Sequence, residues 1–575
     1  MGAKITIINE DLLSLLLKNK FMYRFIILLV VLLSSIVPFQ AQDKYEVRAT
    51  WITTLGSMDW PCAKANSPIG IKRQQEELCK ILDELKAAQF NTILFQTRLR
   101  GDVIYPSFFE SYAECLTGRT GRNPGYDPLN FAIQECHKRG MAFHAWIVTI
   151  PIGSRRQVKL QQNQSIVKKH PSMCIQFREN WYLDPGNPKT ATYLSAIVRE
   201  IVSKYDVDGI HFDYLRYPEQ GKRFPDYQSY KRYGKKQPLD QWRRENSTRL
   251  VRQLYADIKA LKPWVIVSSS PVGKFNDTQR YSTRGWNAYK EVNQNAQGWL
   301  KEGIHDALFP MMYFKNNHFF PFALDWQENN NQRWIVPGLG IYFLQTNPKD
   351  WKLDDIEKQI YFIRNNKLDG EAYFRNKFLM NNVQGIWDEL KMKFYTTPAV
   401  TPPLTWLDSI APATPTLKDF RQASDSTIIR WNPSTTQKAG GIRYRIYASD
   451  TYPVDCEKGA NMIATDIQDT SYTFRPELPW LNKLYWSVTA VDRYGNESTP
   501  LTCNQSQDFS LAVYHNQLPA IPSGSTLIIS DATGKELFRT RSIGNGILRQ
   551  LNNGFYRINL LSADGSIKLI GTLVR

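Results

Sequence analysis

The chain has 575 residues, 42% of them hydrophobic, and a formal net charge of +18. Beyond the first 42 residues no stretch approaches 18 uninterrupted apolar positions, which excludes a transmembrane span in the mature chain. The length accommodates either three domains or one large barrel with appendages, and the basic excess points to an anionic neighbour such as cell-wall polymer, acidic glycan or lipid headgroups.

Residues 1–42 read as a signal peptide with an upstream extension. Met22, Tyr23 and Arg24 precede the apolar run Phe25–Val37, which is followed by Pro38 and the small residue Ala41. The expectation is an exported protein, in the periplasm, on the outer-membrane surface or outside the cell. Export removes the chain from nucleic acid. The seven cysteines are odd in number and form no C-x-x-C, so neither a zinc site nor a thioredoxin-like site is indicated. Cys456 and Cys503 are near enough in the C-terminal half to pair, and sequence leaves that open.

From 43 to 394 two periodicities alternate. Short runs rich in β-branched and aromatic residues lie at 46–54, 91–97, 141–149, 208–213, 264–270, 306–313, 334–342 and 369–375. Helical patterns lie at 72–88, 127–140, 190–205, 240–262, 287–301, 354–367 and 380–393, with a weaker one near 320–331. In 127–140 Asp127 is the cap, Pro128 the first helical residue and Gly140 the stop. The alternation predicts an α/β fold, a (β/α)8 TIM barrel. Loop lengths agree: helix-to-strand connections are short, whereas 98–126, 150–189 and 214–239 are long strand-to-helix loops that would wall a cleft. Two basic stretches, 155–169 and 222–244, fall in these loops, where a pair of solvated loops is the simpler reading.

Residues 395–417 form a Pro/Thr-rich linker, expected to carry few contacts, so that the barrel is stable by itself. Residues 418–507 hold short strands spaced like a fibronectin type III-like sandwich, and 508–575 form a small all-β C-terminal domain.

Period-two alternation places Gly209, His211 and Asp213 on one face of the fourth strand, away from Ile210 and Phe212. Asp213 ends that strand, where barrel enzymes carry their chemistry. Gln96, Arg98 and Arg100 share a face near the end of the second strand. His144 and Trp146 do so on the third, and Tyr313 and Arg375 close the sixth and eighth. Aromatic, basic and polar side chains converging in this way suit a sugar substrate.

Five stretches in order, RATWITTLGSMDWP (48–61), FNTILFQTRLRGDVIYPS (90–107), LTGRTGRNPGYDPLNFAIQECHKRGMAFHAWI (116–147), YDVDGIHFDYLRYP (205–218) and WLKEGIHDALFPMMYF (299–314), resemble the glycosyl-hydrolase-like family 10. The resemblance implies an exported bacterial barrel acting on peptidoglycan or a related glycan, some members cleaving peptide-free (denuded) strands. Many members carry a second aspartate where this chain has Tyr214. The tail (NNGFYRINLL…IKLIGTLVR) more weakly resembles C-terminal sorting domains of Bacteroidetes, which implies contact with secretion machinery.

Glycoside cleavage needs a proton donor for the leaving oxygen and a second, ionised group. Asp213 is expected to be the ionised one, held charged by His211 and Arg216, and the second carboxylate is Glu219 or Asp102. A substrate 2-acetamido group would replace the enzyme nucleophile. Gln96, Arg98, Arg100, His144, Trp146, His211, Arg216, Tyr313 and Arg375 are the expected substrate-binding residues. No cofactor or metal is expected: His211-x-Asp213 is a weak ligand spacing. Two other functions fit the same features, a non-catalytic glycan-binding surface protein and a hydrolase of a dietary or host polysaccharide.

Overall fold

The computed structural model describes residues 44–574 except 220–222, 235, 424, 477–482, 505–511, 516, 522–523, 532–533, 543–546 and 563–566. The signal segment 1–42 and the boundary at 507/508 lie outside the described residues.

Eight parallel strands close on themselves. In chain order they are β1 (Val47–Ile52), β2 (Thr92–Arg98), β3 (Ala142–Val148), β4 (Gly209–Asp213), β5 (Ile266–Ser269), β6 (Ala307–Leu308), β7 (Trp334–Ile335, continued by Gly338–Leu339) and β8 (Gly370–Tyr373). Each pairs with its neighbours in sequence, and β8 returns to β1 through Val47↔Gly370 and Ala49↔Ala372. β7 is interrupted at Pro337, which has no N–H to give a ladder. Its first half pairs with β6 and its second with β8, so the interruption does not open the ring.

The alternation of each strand sorts side chains between two cores. Inside the ring, Val47, Ala49, Trp51, Leu94, Trp146, Phe309, Trp334 and Ala372 form one apolar cluster. Outside it, Ile93, Phe95, Phe143, Ile147, Ile210 and Phe212 pack against helix residues such as Leu78, Leu82, Leu194, Ile201, Leu250 and Leu254. The helices over the outer face include Pro68–Ala87, Pro128–Lys138, Pro188–Lys204, Leu239–Leu261 and Leu353–Asn365. The first three begin alike. Ser67, Asp127 and Asn187 accept a backbone N–H from the first turn, and a proline follows at the position whose own N–H would be unmatched. The helix expected over 287–301 is split into Ala288–Glu291 and Ala296–Lys301, because the backbone of Asn293 is left-handed (φ 54°).

The 395–417 segment is not the loosely attached linker its composition suggests. Glu46 N–H donates to Val400 O and Val400 N–H to Lys44 O, both at 2.9 Å, and Arg48 Nη1 donates to Thr397 O at 2.7 Å. Leu404 is buried, its N–H on Tyr494 O, and Trp406 Nε1 donates to Asp306 Oδ1 at 3.0 Å. This strap ties the N-terminal end of the barrel to an antiparallel two-sheet domain. One sheet holds Thr416–Gln422, Thr427–Asn432 and Ser471–Phe474; the other holds Ile442–Ser449, Met462–Ile467, Tyr485–Asp492 and Leu501–Thr502. Trp431, Ile446, Trp486 and Val488 fill the space between them. Arg493 clamps the domain to the barrel through Asp206 (3.0 Å) and Asp208 (3.3 Å), just before β4 begins. A five-stranded sheet spanning Ala512–Val574 follows, its first strand parallel to its last. All seven cysteines are free thiols, Cys456 and Cys503 included. Among the described residues no helix is long and apolar enough to cross a membrane.

Candidate active site

The long loops surround a cleft of about 550 Å³ at the C-terminal ends of the strands. Its floor is Asp213, the last residue of β4. The next residue, Tyr214, has a left-handed backbone (φ 52°), a conformation that costs a residue with a Cβ about 1–2 kcal/mol. That bend turns the Tyr214 N–H onto Asp213 Oδ1 at 2.8 Å. Ser270 Oγ donates to the same oxygen at 3.1 Å, and Trp146 Nε1 donates to Oδ2 at 3.2 Å.

These three donors and the charge of Arg216 favour the carboxylate, but burial opposes it and prevails: the Asp213 carboxyl is pushed above the usual aspartate range. The direction is opposite to the one expected from sequence. His211 supplies no charge either, since burial holds it well below the usual histidine range. Arg216 stands 3.5 Å from Glu219 and makes no ion pair with Asp213.

Of the expected substrate-binding residues, Gln96, Arg100, Trp146, Arg216 and Tyr313 line this cleft, as does Glu219. Gln96 is held rigidly. Its Oε1 accepts from Thr53 Oγ, Thr54 N and Leu55 N at 2.8, 2.9 and 3.1 Å. Tyr313 packs on Phe374 with ring centroids 5.4 Å apart.

Four expected residues do not reach the cleft. Arg98 is fully buried, with Nε and Nη2 on the two oxygens of Glu110 at 2.7 and 2.6 Å, and Nη1 on the Val148 and Thr149 carbonyls. It fastens the loop after β2 and lies away from the cleft lining. Arg375 is tied to Asp59 at 2.5 Å outside the lining. His144 and His211 lie inside the barrel below the floor. The His211 ring sits edge-on to Trp51 and Phe309, its Nδ1 3.0 Å from Ser268 Oγ. His144 is pushed down to about 4 by burial, and Gly209 gives it room: a Cβ there would stand 2.6 Å from its ring.

Asp102 is also outside the lining. It forms a two-residue strand with Val103 on the edge of β2, and burial pushes its carboxyl up to about 6. Among the described residues no group of three or more histidine, cysteine or carboxylate side chains is gathered as a metal site.

The loop 150–189 is a wall of the cleft, as its length implies, but sequence reasoning missed the strands within it. Residues 151–154, 174–177 and 180–183 form a three-stranded antiparallel sheet within the loop after β3. It presents Phe177, Arg178, Asn180 and Tyr182 to the cleft, facing Tyr214 and Phe374. The signal was the alternation in CIQFRENWYL around a polar turn, obscured by the basic run before it.

A family model described as glycosyl hydrolase-like 10 matches residues 46–347. Glycosyl hydrolase YngK of Bacillus subtilis (strain 168) is 31% identical over 507 residues, which cover 84% of this chain and 98% of that protein. Glycosyl hydrolase DigH of Escherichia coli (strain K12) is 32% identical over 292 residues, covering 48% of this chain and 66% of that one. The glycoside hydrolase domain of PgaB from Bordetella bronchiseptica, a solved structure, aligns with 61% of this chain and 99% of its own, at 12% identity and a TM-score of 0.44.

Proposed function

Since the chain belongs to the glycosyl hydrolase-like 10 family and is a glycoside hydrolase, we propose that it is exported and cleaves a bacterial cell-wall glycan, peptidoglycan or a related amino-sugar polymer. The observation that carries the reading is Asp213. It is a buried carboxyl at a strand end, aimed by three donors into a cleft walled by Trp146, Tyr182, Tyr214, Tyr313 and Phe374. Aromatic rings of this kind stack on sugar faces.

Glycoside cleavage needs a group that still holds a proton when substrate arrives. Burial pushes Asp213 toward that state, so its role in this reading is the acid that protonates the leaving oxygen. Glu219, the other carboxylate of the lining, is the second group. On an amino-sugar substrate the acetamido oxygen can attack in its place, with Glu219 orienting the amide.

The two-sheet domain is read as fibronectin type III-like, which its three- and four-stranded antiparallel sheets support. The terminal sheet is read as a sorting domain that engages secretion machinery, and export rests on the pattern of residues 22–41.

The test is digestion of peptide-free glycan strands by the full chain, with product masses measured. The expected result is release of short oligosaccharides by the parent protein and none by Asp213→Asn. Cleavage of plant or host polysaccharides, with no action on these strands, would replace the cell-wall substrate by a dietary or host one.

A further inference from the structure

Two arginines buried in this fold, Arg98 and Arg243, are closed by short forked pairs with carboxylates, whereas Arg48 meets Glu46 through Nε alone. Arg98 meets Glu110 at 2.7 and 2.6 Å, and Arg243 meets Asp226 at 2.9 and 2.6 Å. Arg216 departs from this pattern. It is only 4% exposed and lines the cleft beside Asp213. Its buried Nε–H has no partner among the described residues. Nη1 reaches Tyr217 O at 3.4 Å, a long contact, and Nη2 stands 3.5 Å from Glu219, whose side chain is 63% exposed.

A guanidinium carries five donors in a rigid fork that fits a two-oxygen anion, and leaving them unmet in a buried position is costly. The charges around it point the same way. Arg100, Arg178 and Arg216 line the cleft against two carboxylates, Asp213 and Glu219. Arg100 spends one Nη on Gln157 Oε1 at 3.3 Å. A cleft so lined attracts an anion.

We propose that Arg216, with Arg100 beside it, forms a carboxylate-binding subsite next to Asp213, so that the enzyme selects glycans whose sugars carry an acid group. This rests on the reading of the cleft as the glycosidase site. Glu219 stands at the fork at 3.5 Å, and the sugar carboxylate takes its place when substrate enters. The acid can be a lactyl ether on an amino sugar or the C6 carboxylate of a uronic acid, which offer the guanidinium the same pair of oxygens.

Calorimetry on the full chain tests this with three probes: N-acetylmuramic acid, its carboxyl-reduced alcohol, and glucuronic acid. The lactyl acid is expected to bind at least about tenfold tighter than its alcohol, the difference expected of a charge-assisted fork. Arg216→Ala should bring the two within about twofold, and Arg216→Lys, which keeps charge but not the fork, should keep part of the difference. Glucuronic acid binding as tightly as the lactyl acid assigns the uronate source; weaker binding assigns the lactyl one. Equal binding of acid and alcohol to the parent protein, or no binding of any probe, overturns the subsite, and neither outcome depends on whether Arg216→Ala folds.

Hydrolysis run in parallel on native and carboxyl-reduced glycan strands keeps the two readings apart. Equal cleavage of both forms removes the subsite and leaves the cell-wall glycosidase standing. Tight binding of the acid probe without cleavage of either form removes the cell-wall substrate and leaves the subsite.

Discussion

The indole of Trp146 donates to Asp213 Oδ2 at 3.2 Å across two adjacent parallel strands, in which Val148 pairs with Asp213. One aromatic residue thus forms part of the cleft wall and also adjusts the acidity of the floor. Its hydrogen bond favours the ionised carboxyl, against a burial that favours the protonated one.

Removing that bond with Trp146→Phe should raise the Asp213 pKa further. If Asp213 is the proton donor, activity falls as pH rises through its pKa, so the basic limb of the kcat profile should move to higher pH. Movement of the acid limb instead would assign Asp213 the ionised role. Asp213→Asn should lower kcat about 10²–10⁴-fold. A carboxyl whose folded-state pKa is raised contributes stability below its ordinary value of 3.8 and loses it as pH rises through the folded-state value. At pH 8 the Asn variant should therefore melt no lower than the parent protein.

Glu219 and Asp102 compete for the second role, and geometry separates them. Glu219→Gln should cut kcat by about 10²-fold or more at an unchanged melting temperature, because it lines the cleft and is largely exposed. Asp102→Asn should leave turnover intact and act on stability. Its carboxyl is raised from 3.8 to about 6, so the parent protein gives up stability between those values that the Asn variant keeps. Melting curves of both proteins from pH 4 to pH 7 read this directly. A loss of kcat in Asp102→Asn comparable to that of Glu219→Gln would reverse the assignment.

The strap predicts what truncation does. A chain ending at 395 loses the ladder between Val400 and residues 44–46, the Trp406–Asp306 bond and the burial of Leu404, the last worth about 1.5–3 kcal/mol by itself. It should melt well below the full chain or aggregate, whereas a chain ending at 504 should melt close to it. Equal melting of the two would mean that the barrel carries its own closure and that the strap is an ornament on it.

Much of this architecture is written locally. Prolines after Ser67, Asp127 and Asn187 start helices because φ is preset and a missing N–H costs nothing there. Alternation in β4 separates Ile210 and Phe212, which face the helices, from His211 and Asp213, which face the ring, because a strand has only two sides. Loop lengths mark the end of the barrel where the cleft opens.

Depth and partnership are not local. His211 and Asp213 share a face, but two residues of rise place the histidine among Trp51 and Phe309 and the aspartate at the mouth. Arg98 and Arg216 look alike in sequence. Glu110, brought back by the loop after β2, closes one with a short fork, while the carboxylate beside the other is the exposed Glu219, at 3.5 Å. The direction of the Asp213 pKa follows the same rule. Arg216, three residues away, argues for a carboxylate, yet the balance is tipped by burial beneath strands and loops distant in sequence, a quantity that exists only once the barrel has closed.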